Sequence, residues 1–193
     1  MRSEKAGFSL VELIVVMALM SMVIAVIPAF RSWSGTARAN AVVRTLASDL
    51  RWARSTAVDR NHDVIVTFNI TNHSYSVFDD VDRDGPDVGD LIKSVTLRGV
   101  GEGAMFSTTS AYAVGGGAIS SAVSMGSTSD PIAVTFKASG EAINFGTAYV
   151  ISTLDTAPSR KDRNRAVQIL KTGRVGVFRW KGSTPTDPWV EHY

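Results

Sequence analysis

From Phe8 to Phe30 the chain carries 23 residues and a single formal charge, Glu12. A helix of that length spans roughly 35 Å, against a hydrocarbon core of about 30 Å. The run therefore predicts a membrane-crossing helix. A carboxylate inside it costs at least about 2.5 kcal/mol by insertion scales. Two readings of Glu12 stay open on local chemistry. It reaches interfacial water, or it meets a positive partner such as a free α-amino group on Phe8. The flanks set the direction. Arg2 and Lys5 precede the run, so the short N-terminal side is expected in the cytoplasm and the remainder outside it. The run is too long for an ordinary signal-peptide core, and no small-x-small cleavage site is obvious at its end.

The segment Gly7-Phe8-Ser9-Leu10-Val11-Glu12, after a short charged head and before an apolar helix, resembles the class III signal of type IV pilins and type II secretion pseudopilins. The resemblance implies cleavage after Gly7 by a membrane prepilin peptidase and N-methylation of Phe8. It also implies that Glu12 neutralises an N-terminal amine in the growing filament. Other pilins or pseudopilins, the peptidase, the inner-membrane assembly machinery and the cytoplasmic membrane are then the expected partners. An ordinary membrane-anchored extracytoplasmic module, never processed, is the competing reading.

Beyond the apolar run, Pro28 and Gly35 are weak points for a helix. Ala39, Val42, Val43, Leu46, Leu50, Ala53 and Ala57 then recur at spacings of three and four, one apolar helix face. Arg38, Arg44, Asp49, Arg51 and Arg54 mostly fall on the other faces; the arginines read as a solvated face, with a basic helix lying on a membrane or on DNA as the alternative. The period changes to two at Asp63. Strands are predicted at 63–69, 74–78, 91–97, 132–137, 147–153, 165–171 and 174–180, with turns at Thr71-Asn72-His73, Ala138-Ser139-Gly140-Glu141 and Thr172-Gly173. The helix-to-hairpin passage through Leu46–Ala57 and Val64-Ile65-Val66, and Phe136-Lys137-Ala138-Ser139-Gly140, resemble the FimT/GspH-type minor pilins. The expected fold is α+β: a long N-terminal transmembrane and amphipathic helix packed on an antiparallel β-sheet of pilin-like form. Its parts are a leader 1–7, a transmembrane helix 8–30, an amphipathic helix 31–60 and an extracytoplasmic β-rich head 61–193. Within the head, the Gly/Ser-rich stretch 99–130 is expected to be a long loop or irregular strands. The tail from Gly182 is expected to be loose, with Trp189 and Tyr193 able to dock.

Two charge clusters invite functional readings. Six aspartates fall between Asp79 and Asp90. Asp80, Asp82, Asp84 and Gly85 match the first half of a calcium loop, but Leu91 stands where a bidentate glutamate belongs. A solvated Asp/Gly turn is the alternative, and it also explains Gly85-Pro86 and Gly89-Asp90. The second cluster is basic. Eight Lys and Arg residues lie between Arg160 and Lys181, opposed by Asp162 alone. Arg165, Lys171, Arg174, Arg179 and Lys181, with Phe178 and Trp180 nearby, suit DNA phosphates and stacked bases. FimT-type pilins of natural transformation bind DNA through Gly-Arg-x-Arg. Here Gly173-Arg174-Val175 is followed by Gly176, so the second arginine is missing. A charged, solvated edge hairpin is the plainer reading.

Catalysis finds no frame. There is no cysteine, which excludes thiol nucleophiles and Cys-based zinc sites. His62, His73 and His192 are scattered, and no nucleophile elbow or phosphate-binding spacing appears. A non-enzymatic assembly subunit without a cofactor is expected. A net charge of +2 gives no global field toward nucleic acid.

Overall fold

The computed structural model describes residues 9–100, 103–110, 112–126, 132–154, 156, 158–182 and 188–192, without the side chains of 25–33 and 158–160. Gly7, Phe8 and Tyr193 lie outside these residues. Two compact units are formed, Met1–Ser34 and Gly35–Tyr193.

Helix α1, Leu10–Arg60, is one helical element through Pro28 and Gly35. In the first unit its side chains from Leu10 to Ile24 are exposed, Leu10 by 74 % and Met22 by 72 %. Among the described residues no helix is long and apolar enough to cross a membrane. The rest of the predicted span runs through residues 25–30, whose side chains are not described.

In the second unit the predicted apolar face of α1 is the buried one. Ala39, Val42, Val43, Leu46, Leu50, Ala53 and Ala57 are all nearly inaccessible. The helix stops at Arg60, and Asn61 takes a left-handed conformation (φ 58°) that turns the chain out of the helix. Then follow β1 (Asp63–Asn69), β2 (Ser74–Asp80), β3 (Leu91–Thr96), a short helix α2 (Leu97–Val100) and β4 (Ala104–Phe106). The rest of the unit is β5 (Ile132–Phe136), β6 (Ala142–Ile143), β7 (Gly146–Ser152), β8 (Arg165–Ile169), β9 (Val175–Trp180) and β10 (Trp189–Glu191).

The expected antiparallel head is formed, among the described residues, by two sheets. Their orders are β3-β2-β1-β5-β6 and β10-β9-β8-β7-β4, and every pairing is antiparallel. Period-two burial fixes the register. Val64 pairs with Asp79 and Phe136, and Val66 with Val77 and Val134, so Val64, Val66, Val77, Val134 and Phe136 share one buried face. One core joins this face to Leu46 and Leu50 of α1 and to Val150, Val167 and Ile169 of the other sheet.

A second, smaller core lies on the opposite face of β7 and β8. Tyr149 and Ala166 meet Trp189 there, and Val114, Ile119 and Trp180 pack against them. Residues 112–119 of the Gly/Ser-rich stretch and Trp189 of the tail are therefore packed into the head. The Trp189 indole donates to the Tyr112 carbonyl at 2.8 Å, and its ring lies 5.6 Å from that of Tyr149.

Candidate functional site

Each cluster singled out in the sequence has a definite place. Glu12 sits in the first turn of α1 with its side chain exposed, where a carboxylate complements the positive end of the helix. Among the described residues it has no ion-pair partner.

The basic cluster does not form one surface. Arg165, expected as a phosphate contact, is only 7 % exposed. Its guanidinium donates to Asn40 Oδ1 at 2.6 Å and to the carbonyls of Asp162 and Asn164, which ties β8 to α1. Arg174 is exposed but donates to Glu191 Oε1 at 2.6 Å. Lys171, Arg179 and Lys181 stay exposed. The hairpin is not an edge either, because β10 covers β9 through Val190 opposite Arg179. Gly176 stands where a second arginine was missing, and a side chain there would have to displace the Phe178 ring. A Cβ there would lie 2.9 Å from the Phe178 ring.

The helix face read as solvated is also partly structural. Asp49 is buried and accepts from the Tyr75 hydroxyl at 2.6 Å and from Lys93 Nζ at 2.7 Å. Burial, then the hydrogen bond to Asp49 and the charge of Asp49, push the Tyr75 phenol upward from its ordinary value. Arg54 donates to the carbonyls of Gly140 (2.9 Å) and Thr172 (3.1 Å), and so clips two turns to α1. Arg51 donates to the Val175 carbonyl at 3.1 Å.

The acidic loop does gather its carboxylates. One oxygen each from Asp80, Asp82, Asp84 and Asp90 lie within 4.8 Å of one another. Asp90 was missed from sequence because the calcium-loop pattern looks one residue later, at Leu91. These four oxygens are hard donors that could form part of a calcium shell, which takes 6–8. The loop also holds itself together. The Gly85 N–H donates to Asp80 Oδ1, and those of Gly89 and Asp90 donate to Asp87 Oδ1. Crowding shows in the carboxyls. A hydrogen bond with Asp82, and then its charge, raise Asp84, while lost hydration and then the Asp82, Asp87, Asp80 and Asp79 charges raise Asp90.

Comparison with known proteins gives two family matches. The model for the type II transport protein GspH matches residues 42–173, and that for the prokaryotic N-terminal methylation motif matches residues 2–28. No curated protein matches the chain in sequence. Among solved structures, the minor pseudopilin EpsH of the Vibrio cholerae type 2 secretion system is 11 % identical with a TM-score of 0.49. That match covers 74 % of this chain and 97 % of EpsH. The type IV minor pilin FimU of Pseudomonas aeruginosa is 14 % identical with a TM-score of 0.44, over 71 % of this chain and 85 % of FimU.

Proposed function

The chain belongs to the GspH family of type II transport proteins and is a minor pseudopilin or pilin of the FimT/GspH type; from that premise we propose that it enters its filament by the prepilin route, at initiation or at the tip. The N-terminal methylation motif over residues 2–28 carries this reading. Gly7 is the peptidase cut site and Phe8 the methylated terminus. Before assembly, residues 8–30 hold the subunit in the cytoplasmic membrane with the head outside it. On extraction the apolar side chains from Leu10 to Ile24 exchange lipid for neighbouring helices, which spares them the cost of about 25 cal/mol per Å² that exposure to water would impose. Glu12 then compensates a terminal amine that would otherwise stay unpaired in a low-dielectric bundle.

Family members are structural subunits, and the work done is assembly rather than catalysis. The alternative of DNA uptake is supported by the exposed Lys171, Arg179 and Lys181, but it loses Arg165 to the interior and the second arginine to Gly176. A gel shift at low salt separates the two readings, since phosphate-driven binding is strongest there.

Intact mass and N-terminal sequence of the protein from its native membranes test the prepilin route. A chain beginning at Phe8 and one methyl group heavier is expected. A chain beginning at Met1, in cells with an active prepilin peptidase, would turn the reading to an unprocessed anchored module.

A further inference from the structure

Within the second unit, a cavity of about 300 Å³ lies between the outer half of α1 and the β9–β10 pair. Arg44 and Arg51 line it from the helix, Arg174 from the turn before β9 and Glu191 from β10, and Val175 and Val177 add apolar surface. Three guanidiniums thus face one carboxylate. Arg174 spends one donor on Glu191, and Arg51 spends one on the Val175 carbonyl. Each guanidinium has five N–H donors, so most remain available. Among the described residues Arg44 makes no ion pair or hydrogen bond.

We infer that this cavity is a recognition site for an acidic peptide, taking a glutamate side chain from a neighbouring subunit. A guanidinium presents a planar fork that a carboxylate fills with two parallel hydrogen bonds. Arg44 supplies that fork. The valines beside it suit the methylene stem of a glutamate, which a phosphodiester lacks. Of the exposed residues that would favour a nucleic acid, Arg174 lines the cavity, whereas Lys171, Arg179 and Lys181 do not. Only the identity of the donor as a filament neighbour rests on the proposed function. The carboxylate chemistry does not.

Hexaglutamate peptide, titrated into the full chain in detergent micelles with the arginine side chains followed by NMR, tests this. Saturable shifts of the Arg44 Nε–H signal are expected, with binding at least tenfold weaker in Arg44→Gln and retained in part by Arg44→Lys. Arg44 is exposed on the helix surface, so neither variant endangers the fold. An unmoved Arg44 signal, equal binding by Arg44→Gln, or displacement of the peptide by an oligothymidylate of matched charge would overturn the assignment. The last outcome would make the site one for nucleic acid. Finding Met1 at the native N-terminus would instead remove the filament neighbour and leave the peptide titration standing.

Discussion

At the scale of single residues, the firmest constraints are polar groups locked inside the head. Tyr75 is one. Its hydroxyl donates to buried Asp49, and its ring is only 2 % exposed. Because its folded pKa is raised above the ordinary 10.0, the phenol keeps its proton in the native state while the unfolded chain ionises. The stability it contributes is complete below pH 10 and is lost as pH rises beyond it. We expect Tyr75→Phe to cost about 1.5–3 kcal/mol near neutrality and to flatten the alkaline fall. Urea midpoints of the two proteins, compared at about pH 8 and about pH 11, should converge. Gly173 is another. It sits at φ 74°, and a Cβ would run into the Gly140 carbonyl and the Arg54 guanidinium. Gly173→Ala should cost about 2 kcal/mol or more, whereas Gly99→Ala, with open space around it, should stay within about 0.5 kcal/mol. Thermal unfolding of both variants checks the contrast. The glycine before Arg174, read as part of a binding motif, is thus needed by the turn that Arg54 clips. Asp49 was within reach of sequence reasoning. It lies three residues after Leu46 and four before Ala53, on the margin of the buried stripe, and Thr56 continues that row. Polarity hid it, because a helical period ranks residues by hydropathy and cannot see a distant Tyr75.

At the scale of elements, what could be read depended on whether the signal was local. The amphipathic half of α1 and the pairs β1–β2 and β8–β9 have period and turn chemistry within a few residues of each other, and each lies close to where the pattern put it. Strands β4, β6 and β10 are two or three residues long, too short to show a period. The segment around 112–119 has a composition of small residues and glycines, yet it is ordered by contacts far along the chain. Val114 N–H donates to the Tyr149 hydroxyl, and Tyr112 accepts from Trp189. The division into two sheets escaped for the same reason, since strand order is a property of long-range pairing. Trp189 is the keystone of this region. It stands 5.5 Å from Trp180 as well as touching Tyr149, and it is only 5 % exposed. Trp189→Ala should cost about 3–5 kcal/mol. Hydrogen exchange should speed first at 112–119 and along β9, and protection in β1, β2 and β5 should persist at mild denaturant. Uniform loss of protection across both sheets would show that the smaller core has no independence.

At the scale of the whole molecule, the two units treat their apolar residues in opposite ways. The head hides Leu46, Leu50, Phe68 and Phe136 almost completely, whereas the first unit leaves Leu10, Val11 and Met22 mostly exposed. The head gains its stability by folding. From Leu10 to Ile24 the helix has apolar surface that folding of one chain does not cover, a surface suited to lipid or to neighbouring helices. This division makes head stability and filament entry separable by mutation. Glu12 lies in the first unit and has no described ion-pair partner, so Glu12→Ala removes nothing from the head core. Its thermal unfolding should match that of the parent within about 0.5 kcal/mol. Membrane retention should persist, because losing a carboxylate makes the apolar run more lipid-like. Incorporation into sheared filaments should fall severely, since each added subunit would bring an uncompensated amine into the bundle. Glu12→Gln should behave in the same way, because it keeps the shape and loses the charge. Assembly of the Glu12→Gln subunit at the parental level would remove charge pairing from the mechanism, and the helix would then be held in its filament by apolar packing alone.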